Sequence, residues 1–419
     1  MFQQILLYGA NGFSGRIVAE AAAKRWKDEG SRFELLLGGR NAHALARMGR
    51  ELGVQTRVVS LDDDQGLDAV LGASGMFAVI NAAGPFEATA VPLVKAALRN
   101  QRHYVDINGE ADVYRRLDDF GYVARQRGVA IVGGAGHCAT TSDVMLASAL
   151  KELSQAGITE IGTVRIAYSH VKYVSRGSAR TAWRSIREKT MVVRSVVQEE
   201  EKKKDGRQKQ GIPDRAAPGV MYQLEYEPSG KIEREFDFGD KEANKARRVG
   251  RSPKRIAMLV NLLDLLTARV TLARHEQIRG HRIESFIEMP EGARIFVQMG
   301  AFSAPLYALP AWRRLVGSQV DMLPEGPDAV ERKDDRHTVL LQIDNGAGRM
   351  LIDWRMETPD PYDFTADCVV GVIEGMSKKK PTGWCTPAEM FDIETSPRLT
   401  TGRLFAECHF ESRPSESMR

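Results

Sequence analysis

Short apolar runs alternate with mixed apolar and polar stretches along the first 150 residues. Ile5–Tyr8, Phe33–Leu37, Thr56–Leu61, Phe77–Ala82, Tyr104–Ile107 and Ala130–Val132 read as strands. Ile17–Lys24, Ala42–Leu52, Gln65–Leu71, Ala90–Arg99 and Val113–Arg127 read as the helices between them. That order predicts an α/β fold with a doubly wound parallel sheet, because parallel neighbours need a crossover and a helix supplies it.

The pattern then changes. Thr163–Lys172 reads as a strand of alternating character, and Ser178–Arg187 as a helix after a turn. Tyr222–Glu227, Arg282–Glu288, Ala293–Met299, Thr338–Asp344 and Arg349–Arg355 read as further strands. Alternation broken by turns predicts a second, α+β domain with a large, mostly antiparallel sheet. Glu199–Asp214 is charged and turn-rich and reads as a solvated loop. Ile256–Leu272 is the most apolar long window, but Asn261, Asp264 and Arg269 interrupt it. It reads as a buried or partner-facing helix, not a membrane span, and raises the expectation of a homodimer. Phe364–Met376 reads as a late helix. The expected domain bounds are 1–150, 151–358 and a C-terminal segment, 359–419.

The first strand runs into Gly9-Ala10-Asn11-Gly12-Phe13-Ser14-Gly15, with glycines at every third position. Between a strand and a helix each glycine has a task. The first turns the chain, the second admits a diphosphate to the backbone, and the third lets helix and sheet approach. Free amides at the helix start then face the anion. The second strand ends at Gly38-Gly39-Arg40, where an NAD site usually carries an acid. A guanidinium there suits a 2′-phosphate through charge-assisted, forked bonds, so NADP(H) is the expected cofactor. A plainer role for Arg40 is to cap the next helix. Asn81-Ala82-Ala83-Gly84-Pro85 follows the fourth strand, and its small residues let backbone run beneath the ribose and nicotinamide.

Composition narrows the remaining choices. A net charge of +4 over 419 residues, with both signs interleaved, does not argue for nucleic acid. Four cysteines without a C-x-x-C pair argue against a zinc site or a disulfide framework and suit a reducing, cytoplasmic setting. The start Met1-Phe2-Gln3-Gln4 leads directly into a strand, so no signal peptide is expected. Neither a metal site nor an integral membrane segment is expected.

Taken in order, the Gly9 turn, Gly38-Gly39-Arg40, Asn81–Phe86 and His103-Tyr104-Val105-Asp106-Ile107-Asn108-Gly109-Glu110 resemble the saccharopine dehydrogenase-like oxidoreductases, including the trans-acting enoyl reductase branch. Ser175-Arg176-Gly177-Ser178, Asp360-Pro361-Tyr362 and Thr386-Pro387-Ala388 resemble that family's later signatures more weakly. The resemblance implies a Rossmann-type domain that binds NADP(H), a second α+β domain with a large sheet, a C-terminal segment (359–419) that returns to the first domain, and dimeric relatives. One stretch departs. Where the branch has G-F-D-S-x-P-S-D, this chain has Gly136-His137-Cys138-Ala139-Thr140-Thr141-Ser142-Asp143, which puts the substrate and the proton donor in question.

Hydride reduction often needs a proton as well. His137, whose ordinary pKa lies near neutrality, is the first candidate donor. Tyr104 offers a phenol, and Asp106 can orient a base or hold a ribose. Structural alternatives stand beside each: His137 bonded to backbone in a tight turn, Asp106 bonded to amides of its own loop. Cys138 has no identifiable base beside it in sequence. The functional expectation is an NADP(H)-dependent oxidoreductase acting on the C=C, C=N or C=O bond of a small biosynthetic intermediate. The alternative is a non-catalytic NADP-binding scaffold or sensor.

Overall fold

The computed structural model describes residues 2–28, 30–185, 190–196, 212–213, 221–227, 232–239, 254–275, 282–289, 318–394 and 403–413, with single positions 291, 294, 295, 309 and 311. In chain order the first stretch is β1 (Gln3–Tyr8), α1 (Phe13–Asp28), β2 (Phe33–Gly39), α2 (Ala42–Leu52), β3 (Gln55–Val58), α3 (Asp64–Leu71), β4 (Met76–Asn81), α4 (Phe86–Arg99), β5 (His103–Asp106), α5 (Ala111–Asp118), α6 (Gly121–Gln126), β6 (Ala130–Val132) and α7 (His137–Gln155). There follow β7 (Thr163–Tyr168), α8 (Arg176–Ser185), β8 (Thr190–Val196), β9 (Ile212–Pro213), β10 (Met221–Glu227), β11 (Glu233–Phe236), β12 (Arg255–Leu259), α9 (Asp264–Ala273), β13 (Arg282–Glu288), α10 (Ala329–Lys333), β14 (His337–Asp344) and β15 (Met350–Thr358). The chain ends with α11 (Pro361–Lys379), β16 (Gly383–Cys385) and β17 (His409–Ser412).

Two compact units result: Met1–Val144 with Asp360–Ile393 and Thr400–Ala406, and Met145–Pro359 with Glu394–Leu399 and Glu407–Arg419. The first unit holds a seven-stranded sheet in the order β16-β6-β5-β4-β1-β2-β3, every neighbour parallel. Ile5, Leu6 and Leu7 of β1 and Ala78, Val79 and Ile80 of β4 are wholly buried, as strands covered on both faces must be. The order turns back at β1, between β2 and β4, so the turns after β1 and β4 open on one crevice. The C-terminal segment completes this unit. α11 packs on α1, with Arg25 bonded to Glu374 at 2.6 Å and Ser377 Oγ donating to Gln3 Oε1 at 2.8 Å. β16 extends the sheet beyond β6 and brings Trp384, whose Nε1 donates to Tyr114 Oη at 2.9 Å.

The second unit holds a ten-stranded sheet, β17-β15-β14-β7-β13-β8-β10-β9, with β11 and β12 joined through β13. Its pairings are antiparallel except for β13 with β7. One face packs Ala167, Phe236, Phe238, Phe286 and Leu340 together. On the other, Asp264 at the start of α9 accepts from Tyr168 Oη at 3.0 Å and Ser285 Oγ at 2.9 Å.

Several elements differ from their sequence pattern. Ile256–Leu272 is not one helix: it divides into β12, which pairs with β13, and α9, all ten of whose residues are buried. Asn261 marks the break, its Oδ1 accepting from Met191 N. A helix buried on every side has no amphipathic face, so its bounds do not show in a pattern. The strand expected at Ala293–Met299 lies mostly outside the described residues, and Arg294 and Ile295 are helical. Of Glu199–Asp214, only Ile212 and Pro213 are described with a placement, as β9; 214 and 199–211 lie outside the described residues. The helix read over Val113–Arg127 is two, α5 and α6. α7 has no counterpart in the sequence reading: Thr140, Thr141 and Ser142 weaken the helical signal of its first turns, although the stretch from Met145 to Leu153 is rich in good helix formers.

Candidate active site

The turn between β1 and α1 distinguishes its three glycines by what a side chain would meet. Gly9 has φ +88°, and a Cβ there would lie 2.6 Å from Ala83 N. A Cβ on Gly15 would lie 2.2 Å from Gly9 O, so only glycine lets α1 start this close to the turn. Gly12 is different: it is exposed, and its nearest neighbour would be Gly9 O at 3.4 Å. Among the described residues a Cβ at Gly12 makes only this ordinary contact, which is what a position kept open for a diphosphate requires. Ala10 is buried, Asn11 exposed, and Phe13 and Ser14 half-buried where the helix amides lack intrahelical partners.

Arg40 follows β2 directly and is exposed. Asn41 caps α2 instead, its Oδ1 accepting from Ala44 N at 3.0 Å, so helix capping does not account for the arginine. The neighbouring turns meet here, since a Cβ on Gly39 would lie 3.3 Å from Asn11 Oδ1. Burial raises the Tyr8 phenol above its usual range, and the Arg40 charge opposes that rise. Tyr8 Oη donates to Val59 O at 3.2 Å. An exposed cation beside a glycine turn and a helix N-terminus fits a dinucleotide with a 2′-phosphate.

The loop after β4 is held from beneath. Asn81 is fully buried; its Nδ2 donates to Thr89 Oγ1 and to Tyr104 Oη, both at 3.1 Å, and its Oδ1 accepts from Ala83 N at 3.0 Å. Thr89 Oγ1 donates to Ala83 O at 2.6 Å. Ala82 and Ala83 are half-buried, whereas Gly84 and Pro85, joined by a cis peptide, are exposed. Tyr104 Oη donates to Asp106 Oδ2 at 2.9 Å, and Asp106 Oδ1 accepts from Gly134 N at 2.8 Å and Asn108 N at 3.1 Å. Tyr104 and Asp106, singled out by sequence as groups near the hydride, expose no surface. Burial pushes the Asp106 carboxyl up to about 6 against its hydrogen bonds, and burial with the nearby carboxylate holds the Tyr104 phenol well above its usual range.

His137 opens α7 and is 2% exposed. Its N–H donates to Thr365 Oγ1 at 3.0 Å, its ring meets Phe364 edge-on at 5.6 Å, and Nδ1 lies 3.6 Å from Cys138 Sγ. Cys138 is half-buried, and the imidazole beside its sulfur is that of the preceding residue, a neighbouring base that the sequence reading did not credit. Asp143 Oδ2 accepts from Ala388 N at 2.8 Å and ties the family-like Ser142-Asp143 pair to the Thr386-Pro387-Ala388 turn. Asp360 caps α11 through Tyr362 N at 2.8 Å and Asp363 N at 3.1 Å. That cap sets Tyr362 edge-on to Phe13, ring centres 5.0 Å apart, at the head of the glycine turn. Sequence reading did not place Tyr362 in the site; the Asp-Pro-Tyr signature was the available signal.

Residues 5–132 match the family model described as saccharopine dehydrogenase NADP binding domain. This part of the chain is thus similar to a saccharopine dehydrogenase NADP binding domain. A trans-acting enoyl reductase of Mycobacterium tuberculosis is 28% identical over 184 residues, 42% of this chain and 43% of that protein. A lipid droplet localized protein of Caenorhabditis elegans is 29% identical over 150 residues, 33% of this chain and 34% of that one. The matches thus span less than half the length of these curated relatives. The fold of saccharopine dehydrogenase (L-Glu forming) from Saccharomyces cerevisiae is similar over 93% of this chain and 95% of that one, with a TM-score of 0.53 and 12% identity. At that identity the likeness is one of fold.

Proposed function

We propose that this chain is an NADP(H)-dependent oxidoreductase that reduces a C=C, C=N or C=O bond in a small biosynthetic intermediate. One observation carries the reading: the open Gly12 position, the exposed Arg40 and the Ala82–Pro85 loop stand at the carboxyl ends of adjoining parallel strands. The backbone from Gly9 to Gly15, with Ala10, Asn11, Phe13 and Ser14, receives the diphosphate; Arg40 pairs with the 2′-phosphate; Asn81 to Pro85 lies under the nicotinamide ribose. When bound, NADPH supplies the hydride. His137 is the proton donor of this reading, directly or through water. A cytoplasmic setting and a homodimer accompany the reading, the dimer through a surface other than α9, whose residues are all buried within the chain.

A second reading is a binding protein without turnover. It is favoured by one observation: His137, Tyr104 and Asp106 are exposed by 2%, 0% and 0%, so no candidate acid presents a free surface to a substrate. Among the described residues no helix is long and apolar enough to cross a membrane.

Fluorescence titration with NADPH and NADH tests the cofactor assignment. Arg40→Ala removes charge-assisted bonds worth about 1.5–3 kcal/mol, a loss of roughly 10- to 150-fold that falls on NADPH alone. Equal losses for both cofactors would refute it. Turnover in a screen of enoyl, imine and carbonyl compounds separates enzyme from binding protein.

A further inference from the structure

The hydrogen bonds around Tyr104 form a directed chain that ends on the backbone of one residue. Asp106, when ionised, only accepts. Tyr104 therefore gives its single proton to Asp106 Oδ2, at 2.9 Å. Its oxygen then offers Asn81 nothing but lone pairs, so the buried amide turns Nδ2 toward it, at 3.1 Å. That orientation leaves Asn81 Oδ1 facing the Ala83 N–H, at 3.0 Å, while Thr89 holds the Ala83 carbonyl at 2.6 Å. The other oxygen of Asp106 is anchored by the amides of Asn108 and Gly134 in the loops after β5 and β6. The far end of the chain touches the dinucleotide turn, since a Cβ on Gly9 would come within 2.6 Å of Ala83 N.

We infer that Asp106, Tyr104, Asn81 and Thr89 are positioning residues that set the Ala82–Pro85 backbone where the nicotinamide half of NADPH lies on it. They act through the loop and do not touch the reacting atoms. Asn81 through Asp106 thus bear on the cofactor by geometry, which explains why a tyrosine and an aspartate next to a hydride site are wholly enclosed. This rests on the reading that NADPH occupies the Gly9–Gly15 turn.

Two probes separate positioning from general stability. One is NADPH; the other is adenosine 2′,5′-bisphosphate, which carries the 2′-phosphate but no nicotinamide. Tyr104→Phe removes only the hydroxyl and leaves polar groups of Asn81 and Asp106 bare. It should weaken NADPH about tenfold, by titration of the folded full-length chain, and leave the bisphosphate unchanged. Thr89→Val removes the second hold on Ala83 and should show the same split, which keeps the test intact if Tyr104→Phe does not fold. Parallel losses for both probes, or no loss for either, would overturn the inference. If the unaltered chain binds neither probe, the dinucleotide reading fails and the inference falls with it.

Discussion

Arg40 and His137 have similar chemical credentials in the sequence and very different surroundings in the fold. Arg40 is exposed, and Asn41 performs the capping that would otherwise explain it. His137 is packed edge-on to Phe364 with its N–H on Thr365. Local sequence told of the first because strand ends and glycine turns are local features. It could not tell of the second, since Phe364 and Thr365 lie on a helix more than two hundred positions away, as the separation of 228 shows. As the proton donor of the proposed reaction, His137 should contribute about 10²–10⁴-fold. His137→Ala is thus expected to lower kcat in that range and to leave the NADPH dissociation constant unchanged. Steady-state kinetics beside a binding titration checks it; unchanged turnover with a lowered melting temperature would leave the ring as packing.

Elements read from period and turn residues survive where the pattern is strong. β1, β2 and β4 lie close to their expected bounds, because a strand buried on both faces writes a continuous apolar run. β16 did not announce itself: three residues, Gly383 to Cys385, make no pattern, and only pairing with β6 makes them a strand. The turn from β1 to α1 yields a prediction at this scale. Gly15→Ala forces a Cβ to 2.2 Å from Gly9 O, a backbone atom that cannot swing away. It should cost on the order of 1–3 kcal/mol of stability by chemical denaturation. Gly12→Val has room within the protein but occupies the space of the diphosphate. That variant should melt like the parent and fail to bind NADPH; normal binding would refute the role of the turn.

At the scale of the molecule, two buried carboxyls couple stability to pH. Burial raises Asp106 in the first unit and Asp264 in the second to about 6 each, from a starting value of 3.8. Between those values the folded chain binds more protons than the unfolded one. Their contribution is therefore most favourable below about pH 4, declines as pH rises toward 6 and is constant above. Asp264→Asn keeps an acceptor for Tyr168 and Ser285 but cannot ionise. The variant's melting temperature, followed from acid to neutral pH, should fall less steeply than the parent's through that window. An identical slope would mean that Asp264 titrates as it does in an unfolded chain. Asp344, which the amides of Gly346 and Thr163 and the Arg165 guanidinium hold below its ordinary value despite burial, acts in the opposite sense at lower pH, so the difference between the two proteins is the quantity to read.

The alternation of strands and helices from β1 to β5, the glycine turn and the arginine where an acid is usual are properties of neighbours along the chain, and the sequence by itself determined them. Periodicity and turn chemistry act over a few residues, so they are written locally. The directed chain from Asp106 to Ala83, the burial of His137, the division of 256–272 and the place of Tyr362 against Phe13 were decided by tertiary structure alone. Each depends on groups brought together from distant parts of the chain, where burial and hydrogen-bond partners, which no local pattern encodes, set what a side chain can do.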